Sequence, residues 1–406
     1  YYVNFNIVRI ELSNAFERLG NVLIYGTQKV YALDAGPEGP NHPNDKYFVV
    51  RKVANEQSWN VEQEMVIVVP IKNEKLKLLE GVITGIPHNC LIIVVSNSDR
   101  DDVDRFNMEK NVVENICHFS KRDFLIVHQK DPEIAELFES MGYADILGED
   151  GLIRDGKSEG MLIGILLTQL LQKKYIGFID SDNYFPGSIY EYVRIYSSIF
   201  SLSKSDYTMG RILWHSKPKA INSNILFSKW GRVSRLTNYY LNRLISLYTG
   251  FETDIIKTAN AGEHCISMNL AMNMDFGAGF TVEPYNYINL FEKFGGVDKL
   301  TNQSDNGNKV VHIHQVESRN PHLHESKGNE HVNDMIDNSL GSIFHSLICP
   351  LELKKELIKE LKKAKIILQN EMPVKRAVYK ALGLFDLNKA KQKFDPDKFG
   401  HMLTTV

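Results

Sequence analysis

The segment Gly177–Gly187, "GFIDSDNYFPG", sets Asp180 and Asp182 one residue apart at the end of a short apolar run. Residues i and i+2 of an extended segment point to the same side. The two carboxylates would therefore lie together, repel and require a counter-ion. A hard divalent cation, Mg2+ or Mn2+, supplies it and keeps open positions for phosphate oxygens. His312, His314, His322 and His324 form a second group, with Glu325 beside the last. Imidazole ligates borderline cations, and the reading expects one ligand, from the "NPHLH" pair His322 and His324. Arg319 and Asn320, just before them, suit a phosphate or carboxylate. In "EDGLIRDGKSEG", Lys157 opens a helix whose first N–H groups favour an anion. In "KTANAGEH", the small-residue turn Ala259-Asn260-Ala261-Gly262 can form an anion-binding nest, followed by Glu263 and His264. Arg211, Lys217, Lys219 and Arg232 lie near it in sequence and could complete a second anion pocket.

Each signal also has an ordinary reading. Polar residues fill loops, basic residues are mostly solvated, and a lone D-x-D arises by chance or as a cap. The elements that carry the residues must decide. Met65–Val69 is a continuous apolar run, and so are the cores of "CLIIVVSNS" (90–98), "FLIVHQKD" (124–131) and "YIGFIDSD" (175–182). Such runs predict strands buried on both faces. Pro70 is expected to end the first. Leu76, Leu79 and Val82 recur at helical spacing, and residues 157–172 read as a further helix. Buried strands alternating with helices predict an α/β fold, a mostly parallel sheet with helices on both faces. The strands end in Lys72, Asn73 and Glu74; in Ser96 and Asn97; in Gln129 and Lys130; and in Asp180 and Asp182. Ligands of open α/β sheets bind beyond the carboxyl ends of the strands, so these four ends sketch one cleft.

The 406 residues carry a formal net charge of -3, which gives no basic footprint for nucleic acid. No apolar stretch reaches the ~18 residues of a membrane span, and "YYVNFNIVRI" lacks the basic and apolar regions of a signal peptide. Cys90, Cys117, Cys265 and Cys349 form no CxxC and suggest a reduced, cytoplasmic protein. "LELKKELIKELKKAKIILQ", after Pro350, predicts an amphipathic helix that docks on the body or on a second subunit.

Taken together, "VVPIKNEKLKLLEGVITGIPH", "VSNS", "HQKDP", "GEDGLIRDGKSEGM", "GFIDSDNYFPG", "RILWHSKPK", "GFETDIIKTANAGEH" and "QVESRNPHLHE" resemble the mannosyl-3-phosphoglycerate synthases, in order over roughly residues 60–340. The resemblance implies a GT-A glycosyltransferase fold, Rossmann-like, with a C-terminal helical segment. It implies transfer of mannose from GDP-mannose to 3-phospho-D-glycerate with retention of configuration, the first step towards the compatible solute mannosylglycerate. Other GT-A relatives place glucose on the same acceptor. The implied division is an N-terminal extension packed on the core (1–60), a nucleotide-sugar half (61–187), an acceptor half (188–340) and C-terminal helices (341–406); the assembly is expected to be a homodimer.

The same resemblance implies roles. Pro70, Lys72, Asn73, Glu74, Ser96, Asn97, Gln129, Lys130, Lys157, Asp180 and Ser181 would line the nucleotide-sugar site, with the Ser181 side chain pointing away from the metal. Asp180 and Asp182, with His322 or His324, would hold a divalent metal; His322 is favoured by following Pro321. Arg211, Thr258, Asn260, Ala261, Gly262 and Arg319 would bind the acceptor. Asp182, Glu252 and Glu263 are the catalytic candidates, by a covalent carboxylate or by front-face attack. Two other readings compete. Haloacid-dehalogenase phosphatases also carry Asp-x-Asp after a strand, but near the chain's start and with Thr or Val where this chain has Tyr184. A sugar-nucleotide-binding protein without turnover is the other.

Overall fold

The computed structural model describes residues 8–11, 15–33, 50–221, 224–296, 309–323 and 328–402. Its centre is a 13-stranded sheet. Four neighbouring strands, Phe124–His128, Leu91–Ser96, Met65–Ile71 and Tyr175–Phe178, run parallel in that spatial order. His264–Ser267 follows, antiparallel, between Tyr175–Phe178 and Tyr207–Leu213. Tyr207–Leu213 then pairs in parallel with Val311–Glu317. The described strands before residue 54 extend this same sheet beyond Val311–Glu317, and Gly400–His401 adds to the opposite edge, on Phe124–His128.

The continuous apolar runs are explained by the sheet's two covered faces. Val66 and Val68 enter one core layer, with Leu91, Ile93 and Val95. Met65, Ile67 and Val69 enter the other, with Ile92 and Val94. Alternation thus sends successive side chains of one strand into different layers, and each fully buried Val, Leu or Ile contributes about 1.5–3 kcal/mol. Leu76–Gly85, Arg105–Ser120 and Pro186–Leu202 cover the second layer; Lys157–Leu170, Arg232–Thr249, Val282–Phe294 and Gly328–His345 cover the first. Lys157–Leu170 lies close on the sheet at Gly164, where a Cβ would come within 2.7 Å of Val68.

Three expectations shift by a few residues. The first strand continues through Pro70 to Ile71. Its ladder with Tyr175–Phe178 stops at Val68, while the ladder with Leu91–Ser96 runs on to Ile71. The Pro70 nitrogen faces the side where pairing has ended, so its missing donor leaves no partner unmet. "FLIVHQKD" is strand only to His128, because Asp131 accepts from the His128 N–H (2.8 Å) and curls the chain. The helix expected over 157–172 is Lys157–Leu170.

The amphipathic helix, Leu351–Lys363, docks on the body through buried Leu353, Leu357 and Leu361. Glu352 and Glu356 pair with Arg243 of the helix Arg232–Thr249 at 3.1 and 3.2 Å. Leu347 and Leu351 beside it remain exposed, at 77% and 69%. All four cysteines are buried and free. Among the described residues no helix is long and apolar enough to cross a membrane.

Candidate active site

The four polar strand ends lie side by side along one edge of the parallel sheet, as the order of the strands requires. At the first, Asn73 adopts a left-handed backbone, φ 55°. Its side chain exchanges hydrogen bonds with Asp99, and its N–H donates to Ser98 Oγ. Ser96 is wholly buried, and its hydroxyl and that of Ser98 each donate to the Glu109 carboxylate at 2.7 Å. Ser96 thus braces the loop that carries Asn97. The Gln129 amide donates to the Arg154 carbonyl, and Lys130 sits 3.7 Å from both Asp150 and Asp155. Lys72 is exposed and Pro70 and Glu74 are half-buried, all at the mouth of the cleft.

The fourth strand end is the acidic centre. Lys157, first residue of its helix, reaches Asp180 at 2.7 Å and Glu283 at 2.8 Å. Burial opposes its charge, but the two carboxylates outweigh that and raise its pKa above the usual lysine range. Gly262 is closely packed here: a Cβ would fall 2.2 Å from Asp180 Oδ2. Asp182 is 8% exposed and Ser181 is buried. Glu263 is wholly buried; desolvation, reinforced by Asp180, raises its pKa and holds it towards the neutral form. Asp180 is paired with Lys157, and the charges of Asp180 and Asp182 both act on the buried Glu263. Carboxylates are the hard oxygen donors that a divalent cation takes. Among the described residues, no three acidic, histidine or cysteine side chains converge on one point ready to hold such an ion.

His322 stands beside this centre. Its ring stacks on Trp214, with centroids 4.2 Å apart and planes 11° apart. Trp214 Nε1 donates to Glu263 Oε2 at 2.8 Å. The Nδ1 of His322 faces Asn183 Nδ2 at 3.3 Å and Glu263 Oε1 at 3.6 Å. His324 lies outside the described residues, as do the side chains of Lys217 and Lys219.

Arg211, among the acceptor candidates, is fully buried. Its guanidinium donates to the carbonyls of Thr258, Ala259, Ala261 and Glu283 and lies over the Tyr287 ring. It therefore shapes the turn rather than presenting its charge at a surface. Side-chain amides hold the same turn: Asn238 takes the Ala259 N–H and the Lys257 carbonyl, Asn242 takes both backbone groups of Ile256, and Gln315 takes the N–H of Lys257 and the hydroxyl of Thr258. A narrow crevice opens beside it, lined by Trp214, Gly231, Ser234, Lys257, Asn260 and Ala261. The buried Asn260 Oδ1 has no partner there, and the helix Arg232–Thr249 starts at its wall. Arg319 is exposed, and its guanidinium donates to the Tyr31 carbonyl. Glu252 stands apart from the acidic centre, exposed on the wall of an open cavity of about 1000 Å³ shared with Trp230, Tyr239, Phe251 and Lys257.

Glu283, Asn183, Trp214 and the amide set escaped the sequence reading. Asn183 and Trp214 stood inside quoted blocks, next to Asp182 and in "RILWHSKPK". Gln315 stood in a third, as the first residue of "QVESRNPHLHE"; Glu283 carries no local signal, because only the tertiary fold brings it to the site.

His264 and His314 do not titrate like ordinary histidines. Burial, helped by Arg211 for the first and by His312 for the second, lowers both pKa values from 6.5 to about 3. The fold keeps them neutral, whereas the unfolded chain takes up protons below pH ~6.5. Their contribution is intact above that pH and is lost as pH falls towards 3, at about 1.4 kcal/mol per pH unit for each. Denaturant unfolding at pH 7, 6 and 5 should show this decline. His314→Asn keeps a donor for Gln28, the present partner of Nδ1, and should make the decline shallower by roughly one histidine's share. An unchanged slope would contradict the assignment.

Comparison with known proteins agrees with the sequence blocks. Residues 12–394 match the family model described as mannosyl-3-phosphoglycerate synthase (osmo_MPGsynth). The chain is 42% identical over 373 residues to the mannosyl-3-phosphoglycerate synthase of Pyrococcus furiosus, covering 92% of this chain and 93% of that one. It is 37% identical over 375 residues to the Aeropyrum pernix protein of the same name, covering 92% and 94%. Among solved structures it resembles glucosyl-3-phosphoglycerate synthase from Mycobacterium tuberculosis in complex with phosphoglyceric acid, at 14% identity and a TM-score of 0.49, covering 80% of this chain and 95% of that one.

Proposed function

The chain belongs to the mannosyl-3-phosphoglycerate synthase family, and from that premise we propose that it moves mannose from GDP-mannose to 3-phospho-D-glycerate, releasing GDP. The observation that supports this reading is the pair of strand-end carboxylates, Asp180 beside Lys157 and Asp182 nearly buried, both acting on the buried Glu263. In the proposal the nucleotide lies across the ends carrying Asn73, Asn97 and Lys130, with its diphosphate towards Asp180 and Asp182. Asp180 and Asp182 would hold a divalent metal; His322 would offer Nε2 with its proton on Nδ1, turned from the Asn183 NH2 to Glu263 Oε1. When bound, the metal supplies Lewis-acid stabilisation of the charge on departing GDP.

The acceptor's phosphate and carboxylate would lie over the turn 258–262, at the crevice, which at about 20 Å³ would have to widen to admit either group. Lys257 and the N–H groups opening the helix at Arg232 supply donors there; Asn260 would join them by turning its NH2 from Ser339 Oγ, and Arg211 holds the turn in shape through the carbonyls of Thr258, Ala259 and Ala261. The acceptor's one free hydroxyl is then the nucleophile. A covalent carboxylate intermediate finds little support. Glu252 stands in a different cavity, and Glu263 is held neutral with one oxygen committed to Trp214, so front-face attack is the reading favoured. A homodimer through the exposed Leu347 and Leu351 and a reduced, cytoplasmic setting for the four free thiols complete the proposal; light scattering tests the first.

The test is an endpoint assay with 3-phosphoglycerate, Mg2+ and either GDP-mannose or GDP-glucose, with and without EDTA. GDP release that requires the acceptor, prefers GDP-mannose and stops with EDTA is the expected result. Tight GDP-mannose binding without turnover would leave a binding protein, and phosphate release from mannosyl-3-phosphoglycerate would point to a hydrolase.

A further inference from the structure

Glu191 is wholly buried in the helix Pro186–Leu202, yet no basic side chain pairs with it among the described residues. Three N–H donors meet its carboxylate instead. Oε1 accepts from the Arg319 backbone at 2.5 Å; Oε2 accepts from the Asn320 backbone at 2.9 Å and from the Asn320 side chain at 2.6 Å. Burying a carboxylate is costly unless its lone pairs are met by donors of this kind. All three donors lie in the turn that leads directly into Pro321 and His322.

The same helix grips that turn again, one turn earlier, where Ser188 Oγ donates to the Pro321 carbonyl at 3.3 Å. Just before the helix, the Tyr184 N–H donates to the Leu323 carbonyl at 3.1 Å. On the far side, the His322 N–H donates to the Ser216 carbonyl at 2.9 Å, and Ser318 Oγ holds the Asn320 carbonyl. The helix begins four residues after Asp182. One rigid element therefore ties the Asp180-x-Asp182 turn to the backbone that carries His322.

We propose that Glu191 is a positioning residue that sets His322 against Asp180 and Asp182, so that its buried carboxylate tunes metal affinity without touching the metal. The inference rests on the metal reading given above. Groups that orient a ligand in this way typically contribute about 10–100-fold in metal affinity. Glutamine fills the same volume but turns an NH2 group towards one set of the N–H donors, so the match is lost while packing is kept.

The test is Mn2+ binding to the full-length protein with saturating GDP, read from the electron paramagnetic resonance signal of free Mn2+. The wild type is expected to bind one Mn2+, and Glu191→Gln to bind it about 10-fold or more weakly. GDP affinity without metal, read by calorimetry, should be unchanged, and turnover of the variant should recover at high Mn2+. A folded Glu191→Gln protein with wild-type Mn2+ affinity would overturn the inference and leave the metal reading standing, and so would a loss that merely follows weaker metal-free GDP binding. A wild type that binds no Mn2+ would overturn both. Should Glu191→Gln fail to fold, Ser188→Ala removes the Pro321 contact while leaving Glu191 in place: a smaller shift in the same direction supports the inference, and none overturns it.

Discussion

Replacing Asp182 by alanine is expected to lower acceptor-dependent GDP release at saturating Mg2+ by about 10³-fold, because several kcal/mol of charge stabilisation at the leaving diphosphate would go with the metal. The protein should remain folded. The turn is held by groups other than Asp182: Asn183 Oδ1 accepts from the Phe185 N–H, the Ile179 N–H donates to the Val68 carbonyl, and the Tyr184 N–H donates to the Leu323 carbonyl. Removing the Asp182 carboxylate also relieves its repulsion on the buried Glu263. The metal-free variant should therefore melt no lower than the metal-free wild type, and EDTA should leave its residual rate unchanged. Melting curves and initial rates measured together check both halves. Wild-type turnover in Asp182→Ala would remove the metal from these carboxylates and with it the reading of the opening motif.

The pairing of a catalytic loss with unchanged or higher stability separates site residues from core residues. Glu263, a wholly buried carboxyl whose pKa is raised by burial and by Asp180, is a group of the kind that concentrates at functional sites. The sequence exposed this site at Asp180 and Asp182, since both stand within one short segment and their strand is marked by an unbroken apolar run. The central strands were legible for the same reason: a strand buried on both faces needs no alternation, and Met65–Val69 shows none. What could not be read were partnerships across the chain. Glu283 meets Lys157 only after 125 residues have folded between them, and Glu191 meets Asn320 at a separation of 129. Neither glutamate sits in a local pattern that separates it from a solvated one. The roles of Arg211 and Ser96 were hidden in another way. Residue type allows a guanidinium or a hydroxyl to face a ligand, and only the hydrogen bonds reveal that both serve the loops. His314 stood in the histidine cluster by type and spacing, but its burial makes it a neutral part of the sheet.

Lys157→Met should be the most destabilising single change at this site. The side chain keeps its length and its packing, while the ammonium that meets Asp180 at 2.7 Å and Glu283 at 2.8 Å is lost. Glu283 is only 7% exposed on its side chain and cannot turn to water. Breaking a buried ion pair from one side costs about 3–5 kcal/mol, because an uncompensated charge stays behind. The pH dependence follows in sign. In the wild type the lysine pKa is raised above its ordinary 10.5, so its contribution is fully present below that pH and is flat through neutrality. In the variant, two close carboxylates favour a bound proton in the fold. Their folded pKa values would exceed the unfolded ones, and the variant should regain stability as pH falls from 8 towards 5. Mg2+ should stabilise Lys157→Met more than the wild type, since the cation meets the charge the ammonium no longer does. Urea unfolding of both proteins at pH 8 and pH 5.5, each with and without Mg2+, measures all three effects. If the variant is as stable as the wild type at pH 8 and gains nothing from Mg2+, then Asp180 and Glu283 do not depend on Lys157, and the reading of Lys157 as their counter-charge falls.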